Sequence, residues 1–238
     1  MSDLSQLNTK IFADGADLDE MIKMYNNPLI KGLTTNPTLM RKSGITSYVK
    51  FAKEVLAQVK EKPISFEVFS DDFDEMEIQA EQISSWGENV YVKIPITNSK
   101  GITSQGLVRK LIEKRIKVNV TAIMTVNQVK LISETLDTNV PSFVSIFAGR
   151  IADTGRDPIR IMKESIEVLK PVSSSQLIWA SPRELLNIFQ ASEIGCHVIT
   201  ATTDILKKLE LVGYDLEQYS LDTVKMFYRD AVESKFNI

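Results

Sequence analysis

The stretch VYVKIPI at residues 90–96 puts Val92, Ile94 and Ile96 on one parity and a lysine, Lys93, on the other. Side chains of a strand alternate between two faces, so this reads as a strand with one apolar face and an ammonium in the middle of the other. Seven more short apolar or β-branched runs flank it: KIFADGA (10–16), GLTTNP (32–37), ISFEVF (64–69), KVNVTAI (117–123), SFVSIFA (142–148), QLIWAS (176–181) and HVITATT (197–203). Their starts lie 21 to 34 residues apart, and amphipathic helical patterns fill the gaps. Tyr48, Phe51, Ala52, Val55 and Val59 recur at helical spacing, as do Ile159, Met162, Ile166 and Leu169 after Asp157-Pro158. Ser181-Pro182-Arg183-Glu184 reads as the start of another helix, with Ser181 as N-cap, Pro at N1 and Glu at N3.

Strand–helix alternation repeated eight times implies parallel strands, because each crossover needs a helix of this length. Eight units in 238 residues predict a single α/β domain, a (β/α)8 barrel over residues 1–213, with a doubly wound open sheet as the competing arrangement. No Pro/Gly/Ser linker divides the chain. After Gly213, Leu221, Val224, Phe227, Tyr228 and Ala231 form a further amphipathic segment with no strand left to follow. Residues 214–238 are therefore expected to be an extra C-terminal helix packed outside the barrel or on a neighbouring subunit, in a homo-oligomer.

Composition removes several classes of function. The 28 Lys+Arg against 31 Asp+Glu give a net charge of −3, which argues against a nucleic-acid partner held through phosphates. No apolar run approaches the length of a membrane span, and MSDLSQLNTK does not read as a signal peptide, so a cytoplasmic location away from membranes is expected. Cys196 is the only cysteine and His197 the only histidine, which removes disulfide frameworks, Cys-rich zinc sites and relays using a distant histidine. Neither a phosphate-binding P-loop, nor a dinucleotide glycine fingerprint, nor HExxH occurs, so neither cofactor nor metal is expected.

Strands covered on both faces should be almost wholly apolar. Here one parity is: Ile11 and Ala13, Phe66 and Val68, Val92, Ile94 and Ile96, Val118, Val120 and Ala122, Val144, Ile146 and Ala148. The other carries Asp14, Thr34, Asn36, Glu67, Lys93, Asn119, Thr121, Ser145, Phe147 and Ser181, mostly in the middle or C-terminal half of each run. That parity converges inside a barrel, at the end where barrel enzymes keep their chemistry. Each residue also has a plain structural reading: Asp14 as a turn residue, Asn36-Pro37 as turn initiation, Ser181 as a helix cap. Lys93 is harder to dismiss. An ammonium buried mid-strand must be paired or have its pKa lowered, and an ion pair between Lys93 and Glu67 on neighbouring strands is the structural alternative to a chemical role. A desolvated lysine is a nucleophile towards carbonyls and forms a Schiff base, while Asp14 and Glu67 can move protons. Arg150 and Arg183 can hold a phosphate, the second aided by amides at a helix N-terminus. This inventory implies cofactor-free carbon–carbon chemistry on a sugar phosphate.

Several of these motifs together resemble the transaldolase family, including its small branch with the fructose 6-phosphate aldolases. GLTTNPTLM is similar to the family's TTNP signature, VYVKIPIT to the segment holding its Schiff-base lysine, and KVNVTAIMTVNQ to its NVT segment. SIFAGRIAD is similar to S-x-F-x-G-R-x-x-D, and WASPRE to the family's ASFR segment. The resemblance implies that Lys93 forms the Schiff base, that Asp14 takes the C4 hydroxyl proton, and that Glu67 and Thr121 hold a proton-relaying water. It further implies that Thr34, Asn36, Asn119 and Ser145 contact a dihydroxyacetone unit, while Arg150, Ser181 and Arg183 bind phosphate. Glu67 and Phe147 follow the transaldolase pattern; the aldolase branch has Gln and Tyr there. Pro182 after Ser181, ITATTDIL in the eighth run and DGAD in the first depart from the family pattern. The expected activity is transfer of dihydroxyacetone from sedoheptulose 7-phosphate or fructose 6-phosphate to an aldose phosphate. An aldolase releasing free dihydroxyacetone and a non-catalytic sugar-phosphate-binding protein are the alternatives.

Overall fold

The computed structural model describes residues 4–235. Eight parallel strands follow one another around a closed barrel: β1 (Lys10–Asp14), β2 (Ile30–Thr34), β3 (Ile64–Glu67), β4 (Val90–Pro95), β5 (Val118–Ile123), β6 (Ser142–Ile146), β7 (Ser175–Trp179) and β8 (Val198–Thr202). All eight runs read from the sequence form strands. Closure is made by β1 against β8, with Lys10 opposite Val198 and Asp14 opposite Thr202, so no strand is left as an edge and the open sheet is excluded.

Helices cover the outside and bury the apolar parity. Tyr48–Gln58 buries Phe51, Ala52, Val55 and Leu56, and Ile159–Leu169 buries Met162 and Leu169. Beneath them Val92, Ile94, Val118, Val120, Val144 and Ile146 are fully buried, which is the sheet half of the same core. A second, smaller core fills the barrel: Phe12, Phe143, Ile178, Ala180 and Val198, with Tyr91 and Phe147 against it. Phe12 and Phe143 meet edge to face at 5.6 Å, and burying each ring contributes about 1.5–3 kcal/mol. Phe12 has room because its neighbour on β2 is Gly32, where a Cβ would lie 2.5 Å from the ring. This plug leaves the two mouths of the barrel as separate chambers.

Two sequence readings are corrected here. Ala122 does not share the outer face with Val118 and Val120. The register of β5 against β6 shifts between Val120 and Ile123, and Ala122 takes φ 61°, which turns it towards the cavity at the C-terminal mouth. Ser181 is not a helix cap. It takes φ 59° in a loop, and the helix it was expected to open begins only at Leu186 (Leu186–Glu193).

After Gly213, at φ 79°, the chain enters the long helix Leu216–Ser234, opened by the Asp215 side chain accepting from the Gln218 N–H at 2.9 Å. None of its residues is buried; Leu216, Phe227 and Tyr228 are 80%, 62% and 74% exposed. No helix among the described residues is long and apolar enough to cross a membrane.

Candidate active site

The strand register sets the floor of the site. Glu67 on β3 stands beside Lys93 on β4, and Lys93 beside Asn119 on β5. The Lys93 ammonium lies 2.9 Å from Glu67 Oε2 and donates to the Thr35 carbonyl at 2.9 Å. Their side chains are 7% and 17% exposed, so this is a largely desolvated pair. The pairing weighed from sequence is therefore real, and it closes the electrostatic account of a lysine in mid-strand. Glu67 is itself held. Tyr48, on a covering helix, donates its hydroxyl to the Glu67 carbonyl at 2.7 Å and accepts from the Glu67 N–H at 2.8 Å. That clamp fixes the end of β3, and hydropathy alone read Tyr48 as a core residue.

Across the barrel, Asp14 accepts a hydrogen bond from the Thr34 hydroxyl at 2.7 Å, and Thr34 is 2.6 Å from the Thr200 hydroxyl. Burial pushes the Asp14 carboxyl above the ordinary aspartate range; the Lys93 charge and the Thr34 hydrogen bond oppose this without cancelling it. On the β5–β6 side, Asn119 donates to Ser65 at 3.0 Å and accepts from Ser145 at 2.7 Å. Thr121 is 2% exposed, and its hydroxyl has no hydrogen-bond partner among the described residues. Asn36 is both cap and wall. Its Oδ1 accepts from the Leu39 N–H at 3.0 Å to open Pro37–Lys42, which leaves its NH2 free of that duty.

The two arginines stand in different states. Arg183 makes a two-pronged contact with Asp153, Nε to Oδ1 at 2.9 Å and Nη2 to Oδ2, and also donates to Ser181 Oγ at 2.9 Å. It holds the Asp153 carboxyl below its usual range. Arg150, from the helix Ala148–Asp153, has its guanidinium 5.6 Å from the Phe147 ring centre and no ion-pair partner among the described residues. Arg183 was expected at a helix N-terminus; it lies in the loop before Leu186–Glu193. Gly149 explains how this corner closes. A Cβ there would sit 1.6 Å from the Ser181 carbonyl oxygen, so only glycine lets the β6 and β7 loops meet.

All twelve residues singled out from the sequence, Asp14, Thr34, Asn36, Glu67, Lys93, Asn119, Thr121, Ser145, Phe147, Arg150, Ser181 and Arg183, line one cavity of about 610 Å³ at the C-terminal mouth. Thr200, Thr202, Lys42 and Asp204 line it too and were missed. The alternation within HVITATT was the available signal for the two threonines. Cys196 and His197 do not line it; burial pushes the Cys196 thiol up to about 12.

Fold and site together define a (β/α)8 barrel whose C-terminal mouth carries a desolvated lysine between two carboxylates, with arginines at the rim. The chain belongs to the transaldolase/fructose-6-phosphate aldolase family, whose model matches residues 11–238. It is similar to a probable transaldolase of Thermoanaerobacter sp. (strain X514), 31% identical over 223 residues that cover 93% of this chain and 98% of the relative. A probable transaldolase of Thermoplasma volcanium is 34% identical over 203 residues, covering 84% and 87%.

Two outcomes are expected. Because the folded Asp14 pKa is raised, ionising it costs stability as pH rises from the ordinary aspartate range through the folded value. Asp14→Asn should therefore melt at a higher temperature than wild type at pH 7, with the gap closing towards pH 3; equal melting at both pH values would contradict this reading. Gly149→Ala should displace the Ser181–Arg183 loop and lower the melting temperature, read by circular dichroism; unchanged melting would contradict this account of the corner.

Proposed function

We propose that this protein is a transaldolase that carries a dihydroxyacetone unit on Lys93 from fructose 6-phosphate or sedoheptulose 7-phosphate to an aldose phosphate. The observation that supports it best is the Lys93 ammonium 2.9 Å from Glu67 in a cavity that also holds the Asp14 carboxyl at raised pKa. Glu67 takes a proton from Lys93, and the freed amine adds to the ketose C2 carbonyl. Loss of water gives an iminium. Asp14 then accepts the C4 hydroxyl proton as the C3–C4 bond breaks; the bonding electrons pass into the iminium to give an enamine, and the aldose leaves. Attack of the enamine on an acceptor aldehyde and hydrolysis of the new iminium complete the transfer. Thr121 holds the water that relays protons with Glu67. Thr34, Asn36, Asn119 and Ser145 grip the dihydroxyacetone hydroxyls. Arg150, which makes no ion pair among the described residues, is the principal phosphate ligand, and Ser181 and Arg183 complete that subsite.

Transfer wins over release only if the enamine is protonated slowly. Phe147 places an apolar ring at this wall, where a phenol would offer a proton or order a water. The assay is dihydroxyacetone release from fructose 6-phosphate without acceptor, set against transfer to erythrose 4-phosphate. Transfer should dominate in wild type, and rapid release without acceptor would overturn the reading in favour of an aldolase. Phe147→Tyr should release dihydroxyacetone about tenfold faster, which needs only about 1.4 kcal/mol off the hydrolytic barrier.

The exposed stripe of the helix Leu216–Ser234 supports packing on a neighbouring subunit, since Val224, Phe227 and Tyr228 are 59%, 62% and 74% exposed on the isolated chain. Truncation after Gly213 should shrink the assembly or make the protein insoluble, read by analytical ultracentrifugation. An unchanged number of subunits at wild-type solubility would contradict it.

A further inference from the structure

The opposite mouth of the barrel holds a second chamber that the proposed chemistry does not use. It is a cavity of about 310 Å³, within the size range of small-molecule sites, and its wall includes Lys10, Lys31, Tyr91 and Gln176. Its floor is the aromatic plug: Phe12 and Phe143 line it, and the Tyr91 and Phe143 rings lie 4.3 Å apart. The plug separates it from the Lys93 cavity, and the two share no lining residue.

Its charge is one-sided. Lys10 opens β1, Lys31 lies in β2, Lys62 precedes β3 and Lys117 precedes β5, so four ammoniums ring the same end of the barrel. Each rests on neutral oxygens. Lys10 donates to Gln176 Oε1 at 3.4 Å, Lys31 to the Pro28 carbonyl at 2.7 Å, and Lys117 to the Glu88 carbonyl at 2.6 Å. Lys62 caps the carbonyls of Tyr25 and Asn27 at the end of the helix Leu18–Asn26, and the Lys31 charge adds to burial in holding its pKa below the usual lysine value. Among the described residues, none of the four lies within 4.0 Å of a carboxylate. Other lysines do have carboxylate partners: Lys110 and Lys114 share Glu77, and Lys170 meets Glu167.

The Lys31 charge already bears on Lys62, and a ligand with several anionic oxygens would offset the positive charge gathered at this mouth. The groups facing the chamber are mostly donors. Lys10 and Lys31 are ammoniums with N–H groups to spare, Tyr91 brings a phenol, and Gln176 keeps its NH2 because its oxygen is already engaged by Lys10. Convergent donors above an apolar floor match a phosphate group better than a single carboxylate, which offers fewer acceptor oxygens and less charge. We propose that the N-terminal mouth of the barrel is a binding site for a small phosphorylated ligand, distinct from the sugar-phosphate cavity at the other end.

Inorganic pyrophosphate is the probe, and calorimetric titration of the full chain is the measurement. Arg150→Ala serves as the background, so that phosphate binding at the C-terminal mouth is weakened first. That variant should still bind one pyrophosphate per chain, with affinity falling as salt rises. Adding Lys10→Gln or Lys31→Gln should weaken it about tenfold each, and adding Lys163→Gln, at an exposed lysine on the outer surface, should change it less than twofold. Lys10 and Lys31 are exposed, so these variants are expected to fold, and circular dichroism checks it. No binding in the Arg150→Ala background would overturn the proposal. So would equal weakening by all three lysine variants, which would mean a diffuse charge effect.

Discussion

The pairing of Lys93 with Glu67 is the contact around which the rest of this barrel is arranged. An ammonium and a carboxylate taken out of water each carry a desolvation penalty of several kcal/mol, and their attraction repays it only when the remaining donors and acceptors are also satisfied. The chain meets that demand from three directions. The register of β3 against β4 sets the two side chains next to each other, the Thr35 carbonyl takes a second ammonium proton, and Tyr48 anchors the Glu67 backbone through both its N–H and its C=O. Removing either charge alone would leave the other buried without a partner, so the pair is conditional on its whole setting.

The same economy of position governs the wider site. Asp14, Thr34 and Thr200 form one hydrogen-bonded chain on the β1–β2–β8 side, and Ser65, Asn119 and Ser145 form another on the β3–β5–β6 side. The two chains flank Lys93 and hold their side chains in place before any ligand arrives, which is how a barrel preorganises a site on rigid strands. The rim is built differently. There Gly149 lets two loops touch, Ser181 sits at positive φ, and Arg183 is tied to Asp153. Strain and loop contacts set Ser181 and Arg183, whereas strand register sets the lysine.

That division explains what the sequence disclosed. Strand register obeys a period of two, so the eight runs and the inward parity of Asp14, Glu67, Lys93 and Asn119 were legible without coordinates, and the twelve candidate residues converge on one cavity. Parity failed at Ala122 because a register shift in β5 adds a residue to one strand, which alternation cannot express. Ser181-Pro182-Arg183-Glu184 carries every mark of a helix start, yet the close approach of Gly149 to the Ser181 carbonyl holds it as a loop; a tertiary contact overrode a local signal. Tyr48 escaped because its apolar ring fits the helix stripe, and the partner of its hydroxyl lies 19 residues away in another element.

The central claim is that this buried lysine is the nucleophile. The measurement that meets it most directly is incubation with fructose 6-phosphate and sodium borohydride, followed by proteolysis and mass spectrometry of the peptides. A reduced dihydroxyacetone adduct, three carbons long, on the peptide carrying Lys93 is the predicted result. An adduct on any other lysine, or full turnover with none trapped, would contradict the account.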